Sequence, residues 1–424
     1  MQTSTFQART SCRSFERRKF LQYICFTTIG VSIIAGSIFL IINIREKLEN
    51  ISIITSKIST RATESVTATT TTTESTITVT TTTGPITTTT TLPREWFVTG
   101  EMAVSRTLHT LPLLPNGKVL VTGGKINGID VMKITELYDP STGIWKIVNE
   151  PYHPRSYHTA TVLENGLVLV TGGRHSNLVL SAAELYNVSA DTWITTGSMN
   201  HQRSHHTATL LKNGKVLVTG GYYDISCSIL VRNDELYNPS IGTWRNTDKM
   251  SNIYHTTTLL SNGKVLMAGG LHGVSSQLYD PLTGTWNKTG PMSDWRQGHS
   301  ASLLKNGSVL VAGGNQNGWG LFNAELYDPS TGTWKPAGNM NFRRSYHTAS
   351  VLPDGKVLVA GGDYYGSLDS VELYDPLLNT WSIVHSLIKG RFRHTATVLA
   401  DGKVLIAGGQ QSFNDYSLDI TELY

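Results

Sequence analysis

The chain has 424 residues, and its formal charge of +4 resides in its first part: residues 1–50 hold seven Lys/Arg against three Glu, leaving 28 of each sign in the rest. A balanced body gives no case for nucleic acid as a partner, which would want a strongly basic face. Three cysteines, Cys12, Cys25 and Cys227, cannot build a disulfide framework, and a zinc site of the cysteine-rich kind would need paired thiols at close spacing.

In chain order, residues 1–19 form a polar tail carrying Arg9, Arg13, Arg17, Arg18 and Lys19 against Glu16 alone. Residues 20–44 contain no charged side chain, and as a helix at about 1.5 Å per residue they would span a bilayer. This is longer than the ~7–15 apolar residues of a cleavable signal core, so the reading is a retained signal anchor. More positive charge precedes the span than follows it, which puts the N-terminus in the cytoplasm. The expected protein is therefore a single-pass type II protein of the plasma membrane or secretory pathway, with the remainder extracellular or lumenal. Residues 45–93 are a Thr/Ser-rich tract, including TITVTTTTGPITTTTT, which reads as a disordered, extended and O-glycosylated stalk.

From residue 94 onwards the chain repeats. A Gly-Gly pair recurs at 123–124, 172–173, 220–221, 269–270, 313–314, 361–362 and 408–409, at intervals of 44 to 49 residues, a period that signals a repeat architecture. Each unit opens with an apolar run, turns at Asn-Gly or Asp-Gly (Asn213-Gly214, Asp354-Gly355), and continues into Val-Leu-Val-Thr-Gly-Gly or its equivalent. That turn between two β-rich runs marks a hairpin of strands a and b. Glu-Leu-Tyr then marks strand c, and a turn such as Asp-Pro-Ser-Thr-Gly leads to a Trp that opens strand d. Four antiparallel strands repeated radially make a β-propeller of seven blades, residues 94–424. The last unit stops in its strand c at Tyr424, whereas Trp96 to Met102 has the spacing of Trp193 to Met199. Residues 95–102 are therefore expected to close the last blade.

The double Gly, the strand-c Tyr and the following Trp resemble the kelch repeat, in the variant found in galactose oxidase-like proteins. That resemblance implies an all-β, seven-bladed kelch-type propeller. It also raises copper chemistry, because such enzymes use tyrosine and histidine ligands at strand starts with a tyrosine cross-linked to a cysteine. Tyr157-His158, Tyr254-His255 and Tyr346-His347 are similar pairs, but no strand a holds a cysteine and Cys227 lies in a b–c loop. The seven strand-a histidines read as a structural ring, and no catalytic residue, metal or cofactor is assigned.

Topology separates two faces. The a–b and c–d turns lie on one and repeat closely; the b–c loops and d–a connections lie on the other and vary. Tyr222, Tyr223, Trp319, Tyr364 and Tyr365 fall in the variable loops, where aromatic groups suit recognition of a protein or glycan. Arg106, Arg155, Arg203, Arg296, Arg344 and Arg391 precede strand a on the same face, with Asn252 at that position in the fourth unit. Together they read as a basic mouth for an anionic ligand, as in kelch propellers that capture partner peptides. Asn187, Asn287 and Asn306 stand in Asn-x-Ser/Thr sequons as expected glycosylation sites. The functional expectation is a membrane-anchored recognition or adhesion module; the alternative is a galactose oxidase-like copper or carbohydrate-active enzyme.

Overall fold

The structure, a computed structural model, describes residues 68–73, 76–83 and 86–91, and residues 95–424 apart from 128, 131–132, 251, 272 and 413–415. Among the described residues no helix is long and apolar enough to cross a membrane; the candidate span at 20–44 and the tail at 1–19 lie outside them. In the Thr-rich tract, Ala68–Thr73, Thr76–Thr83 and Ile86–Thr91 pair as a three-stranded antiparallel sheet. This departs from the expected disordered stalk. Runs of Thr with Ile77 and Val79 are β-branched, and such residues favour the pleated conformation.

Residues 96–424 form a separate unit, a seven-bladed propeller. Blades II to VI are four-stranded antiparallel sheets in the order a-b-c-d; in blade III the strands are Thr207–Leu210, Val216–Thr219, Glu235–Asn238 and Thr243–Asn246. Blade I has strands b, c and d at Val119–Thr122, Thr135–Asp139 and Ile144–Val148, with strand a reduced to bridges from Thr110 and Leu113. Blade VII takes its strands from both ends of the unit: Thr395–Val398, Val404–Ala407, Thr421–Leu423 and finally Phe97–Val98. Val98 pairs with Glu422 and Phe97 with Leu423, and Trp96 packs 5.0 Å from Tyr424. The ring closes with no open sheet edge at the seam.

Strand b is buried along its whole length in every blade. It faces a neighbouring blade on both sides, which explains its continuous Val-Leu-Val run in place of an alternating pattern. The apolar clusters accordingly lie between blades, as where Leu163 and Leu169 of blade II meet Val216, Val218 and Tyr237 of blade III.

The repeated residues hold this ring together. Each strand-a imidazole shares a hydrogen bond through Nε2 with the first hydroxyl of the preceding blade's strand a: His158 with Thr110, His206 with Thr159, and around the seam His109 with Thr395. Burial, reinforced by the blade's own arginine, pushes the His158 pKa down to about 3, so the imidazole is neutral. The Gly pair makes room for this contact. A Cβ at Gly172, which has φ +62°, would lie 2.6 Å from the Arg203 carbonyl and 2.7 Å from His206 Cε1 of the next blade. Gly173 N–H donates to that same Arg203 carbonyl at 2.8 Å, so only Gly-Gly permits the approach. At the outer rim each strand-d Trp lies 5.0 to 5.2 Å from its strand-c Tyr. Trp193 Nε1 then donates to the Asn149 carbonyl of blade I at 2.8 Å.

Candidate functional site at the axial mouth

The six arginines are placed inside the blades, which corrects their reading as a basic mouth. Arg106, Arg155, Arg203, Arg296, Arg344 and Arg391 are at most 1% exposed. Each ion-pairs with the Glu of its own strand c: Glu136, Glu184, Glu235, Glu325, Glu372 and Glu422. Arg344 shows the full arrangement. Its Nη1 donates to the Gly361 and Ser370 carbonyls at 2.7 and 2.9 Å, and its Nη2 to Glu372 at 2.8 Å. Glu372 also accepts the backbone N–H groups of Asn341 and Phe342. The pair thereby ties the d–a connection to the base of the b–c loop. In blade IV both charges are absent: Asn252 donates to the Gly269 carbonyl at 2.8 Å, and Gln277 stands where the other blades have Glu. Losing one charge alone would strand the other in a dry interior.

The side chains that reach the axis come from the residue just before each strand-a His. Leu108, Tyr157, His205, Tyr254, Gly298, Tyr346 and Arg393 all have φ between +53° and +62°. For the six that are not Gly this is an uncommon conformation, of a kind that collects at ligand sites. It turns the side chain away from the blade while the following His enters the seam. The Tyr-His pairs are thus split between two environments.

Contacts between neighbouring blades gather these side chains. Tyr157 of blade II stacks on His205 of blade III at 3.8 Å between centroids. His205 meets Tyr222 and Tyr254 edge-on at 5.7 Å each. Tyr346 of blade VI lies along the vacant Gly298 position, where a Cβ would come within 2.9 Å of its ring. Three cations join this cluster: Lys125 Nζ and Arg174 Cζ lie 5.8 and 5.6 Å from the Tyr157 centroid, and Arg393 Cζ lies 5.1 Å from that of Tyr346. Burial, with Arg174 and Arg393 next in importance, holds the His205 pKa well below its ordinary value. Burial likewise raises the Tyr254 and Tyr346 phenols. At neutral pH the mouth therefore presents a neutral imidazole and protonated phenols beside fixed positive charge.

The expected aromatic residues divide by position. Tyr222 is buried beneath His205, whereas Tyr223 is 42% exposed. Trp319 and Tyr365 are 62% and 70% exposed, and Tyr364 lies tilted against Tyr365 at 4.6 Å between centroids. A Cβ at Gly320 would lie 2.9 Å from Tyr364 Cδ2, so the Trp319–Gly320 arm of blade V rests on the b–c loop of blade VI. Of the sequon residues, Asn287 is exposed on strand d, Asn306 is exposed in an a–b turn, and Asn187 is half-buried at the end of strand c. The Asn187 Oδ1 accepts the N–H groups of Ser189 and Ala190.

Sequence reasoning did not single out His205, Lys125, Arg174 or Arg393 as site residues. Their signal is that they break the repeat: one position precedes the repeated His and the other follows the Gly pair.

With this geometry the chain is a seven-bladed β-propeller, and its residues 343–387 match the family model of the kelch motif. No curated protein matches the chain by sequence. Among solved structures the fold is similar to that of a fungal alcohol oxidase of the AA5 family, described in complex with copper. It has a TM-score of 0.65 and 20% identity over 78% of this chain and 76% of that one.

The residues here do not fit a copper centre. The strand-a imidazoles are committed through Nε2 to hydroxyls of the neighbouring blades. Among the described residues no three or more His, Cys, Asp or Glu side chains come together as a metal-holding group. His205 alone of the imidazoles stacks in the axial aromatic cluster, and its charged neighbours Arg174, Arg393 and Lys125 are cations, which oppose a metal ion.

Proposed function

We propose that this protein is a membrane-tethered recognition module that binds a glycan on the b–c and d–a face of its propeller. The observation that carries this reading is the exposed Trp319 and Tyr365, with Tyr364 tilted against Tyr365, on the same face as an axial cluster of Tyr157, His205, Tyr254 and Tyr346. Flat aromatic faces accept the C–H surface of a sugar ring, and neighbouring phenol and amide groups serve its hydroxyls.

Trp96 begins the strand d that closes blade VII, so the chain enters the propeller on the side of the a–b and c–d turns, opposite the variable loops. The glycan-binding test is an array of immobilised glycans probed with the full chain, compared with Trp319→Ala/Tyr365→Ala. A wild-type signal lost in the variant supports the reading; an unchanged signal, or none in the wild type, refutes it. The tether is tested by expression in secretory cells. Retention with membranes after carbonate extraction and a mobility shift on N-glycan removal are expected, whereas a fully soluble, unshifted protein would contradict it.

A further inference from the structure

The b–c hairpin of blade V holds one ring outwards. Asn315–Gln316 and Trp319–Gly320 pair antiparallel across Asn317 and Gly318, whose φ angles of +51° and +87° make the tight turn. Gly318 N–H donates to Asn315 Oδ1 at 2.9 Å, and at the foot of the hairpin Leu321 N–H donates to the Gly314 carbonyl at 2.8 Å. Successive side chains of a strand point to opposite faces, so Trp319, 62% exposed, looks away from the face that Gly320 presents. The hairpin of blade II pairs Arg174–His175 with Leu178–Val179, and there Val179 stands in register with Gly320. Val179 is buried. Blade V has no side chain at that place.

Two residues from the side of blade VI fill it. A Cβ at Gly320 would lie 2.9 Å from Tyr364 Cδ2 and 3.4 Å from Arg343 Cβ. Arg343 Nη1 donates to the Gly320 carbonyl at 2.9 Å, and its Cζ lies 4.6 Å from the Phe322 ring centroid, a cation–π contact. One guanidinium therefore grips the hairpin and the strand that leaves it. The next residue, Arg344, donates its N–H to the Leu321 carbonyl at 3.1 Å, so the backbone that carries Arg343 is itself fixed to the foot of the hairpin. In the other units the residue at the place of Arg343 is Ser105, Pro154, Gln202, Ser251, Trp295 or Gly390. This one junction has a cation there.

We propose that Arg343 and Tyr364 are positioning residues for Trp319: they hold the blade V hairpin by its Gly320 face, so that the indole is presented in one orientation as the principal sugar-stacking platform of the variable face. This rests on the reading that the face binds glycans, and it adds which ring makes the main contact and what fixes that ring. Arg343 acts through the hairpin and does not touch the sugar. A platform ordered before binding loses little freedom on capture, whereas a loose one must be ordered by the sugar at a cost in affinity.

The test uses the full chain as wild type, Arg343→Met, Arg343→Lys and Gly320→Ala. Hydrogen–deuterium exchange without sugar reads the hairpin itself. Peptides covering residues 315–321 should exchange about tenfold faster in Arg343→Met and Gly320→Ala. Arg343→Lys keeps a donor for the Gly320 carbonyl and should stay close to wild type, and the urea midpoint of Arg343→Met should be unchanged. On the array of immobilised glycans Arg343→Met and Gly320→Ala should bind about three- to tenfold more weakly, with most of the signal kept by Arg343→Lys. Unchanged hairpin exchange in Arg343→Met, a urea midpoint that falls in step with the faster exchange, or faster exchange with an undiminished array signal would each overturn the proposal. A wild-type signal abolished by Trp319→Ala/Tyr365→Ala but indifferent to Arg343→Met removes the positioning role alone. No wild-type signal, or one indifferent to Trp319→Ala/Tyr365→Ala, removes the glycan reading and this proposal with it.

Discussion

Replacing Arg344 by Met should destabilise the propeller more than any exposed substitution, because the change leaves a charge behind. Glu372 would keep the N–H groups of Asn341 and Phe342 at 2.6 and 3.0 Å and the Asn341 Nδ2 at 2.8 Å. It would lose the Arg344 counter-ion, and the Gly361 and Ser370 carbonyls would lose donors at 2.7 and 2.9 Å. Removing one partner of a buried pair costs about 3–5 kcal/mol. Glu372→Gln alone should cost a similar amount, since it strands the guanidinium. The double change Arg344→Asn/Glu372→Gln copies blade IV, where Asn252 and Gln277 occupy the same positions. It should cost less than the sum of the single changes by about 2 kcal/mol or more. Urea denaturation of the four proteins gives the cycle. Additive losses would show that charge pairing is not what the clamp contributes, and the account of the Arg ring would fail.

Two further outcomes follow from the closure and from one buried acid. Trp96→Ala removes a side chain that is 7% exposed, packs in a cluster with Leu387, Ile406 and Tyr424, and donates to the His385 carbonyl at 2.9 Å. A loss of about 3–5 kcal/mol is expected by analogy with other buried aromatic truncations, and an unchanged denaturation midpoint would refute closure through this strand. Asp234, wholly buried between blades III and IV, accepts from Trp286 Nε1 at 2.8 Å and from the Gly220 N–H at 3.2 Å. Its pKa is pushed up to about 7, chiefly by burial, against about 3.9 in an unfolded chain. The folded state therefore holds the proton more tightly. Its contribution is present at low pH and is lost between about pH 4 and pH 7, on the order of 4 kcal/mol across that range. Asp234→Asn should flatten that part of the stability profile, as read by denaturation at several pH values; an unaltered slope would show that the carboxyl does not titrate there.

The frame was legible because it is repeated. Asn-Gly turns, Gly pairs and the Tyr-Trp couple recur with their spacing, and one copy can be read against another. The same habit misplaced the arginines, whose loop positions suggested a rim although strand-c Glu stands ready to bury them. Unit four held the clue, since it lacks the Arg and the Glu together. The axial site was harder to read because its members are far apart in sequence, from Lys125 to Arg393, and meet only when the ring is closed. They occupy the two positions beside the repeated His and Gly pair where the copies disagree. Positive φ then directs the residue before each strand-a His, at Tyr157, His205 and Tyr346 among others, towards the axis. Propensity and hydrophobic pattern do not report that geometry.

Hydrogen–deuterium exchange of the full chain with and without a glycan retained on the array tests most directly whether the repeated residues build the ring and the unrepeated face binds. Protection is expected in peptides covering residues 153–158, 203–205 and 315–321, with the a–b turns at 213–215 and 354–356 unaffected. Protection centred on those turns, or none at saturating sugar, would contradict the account.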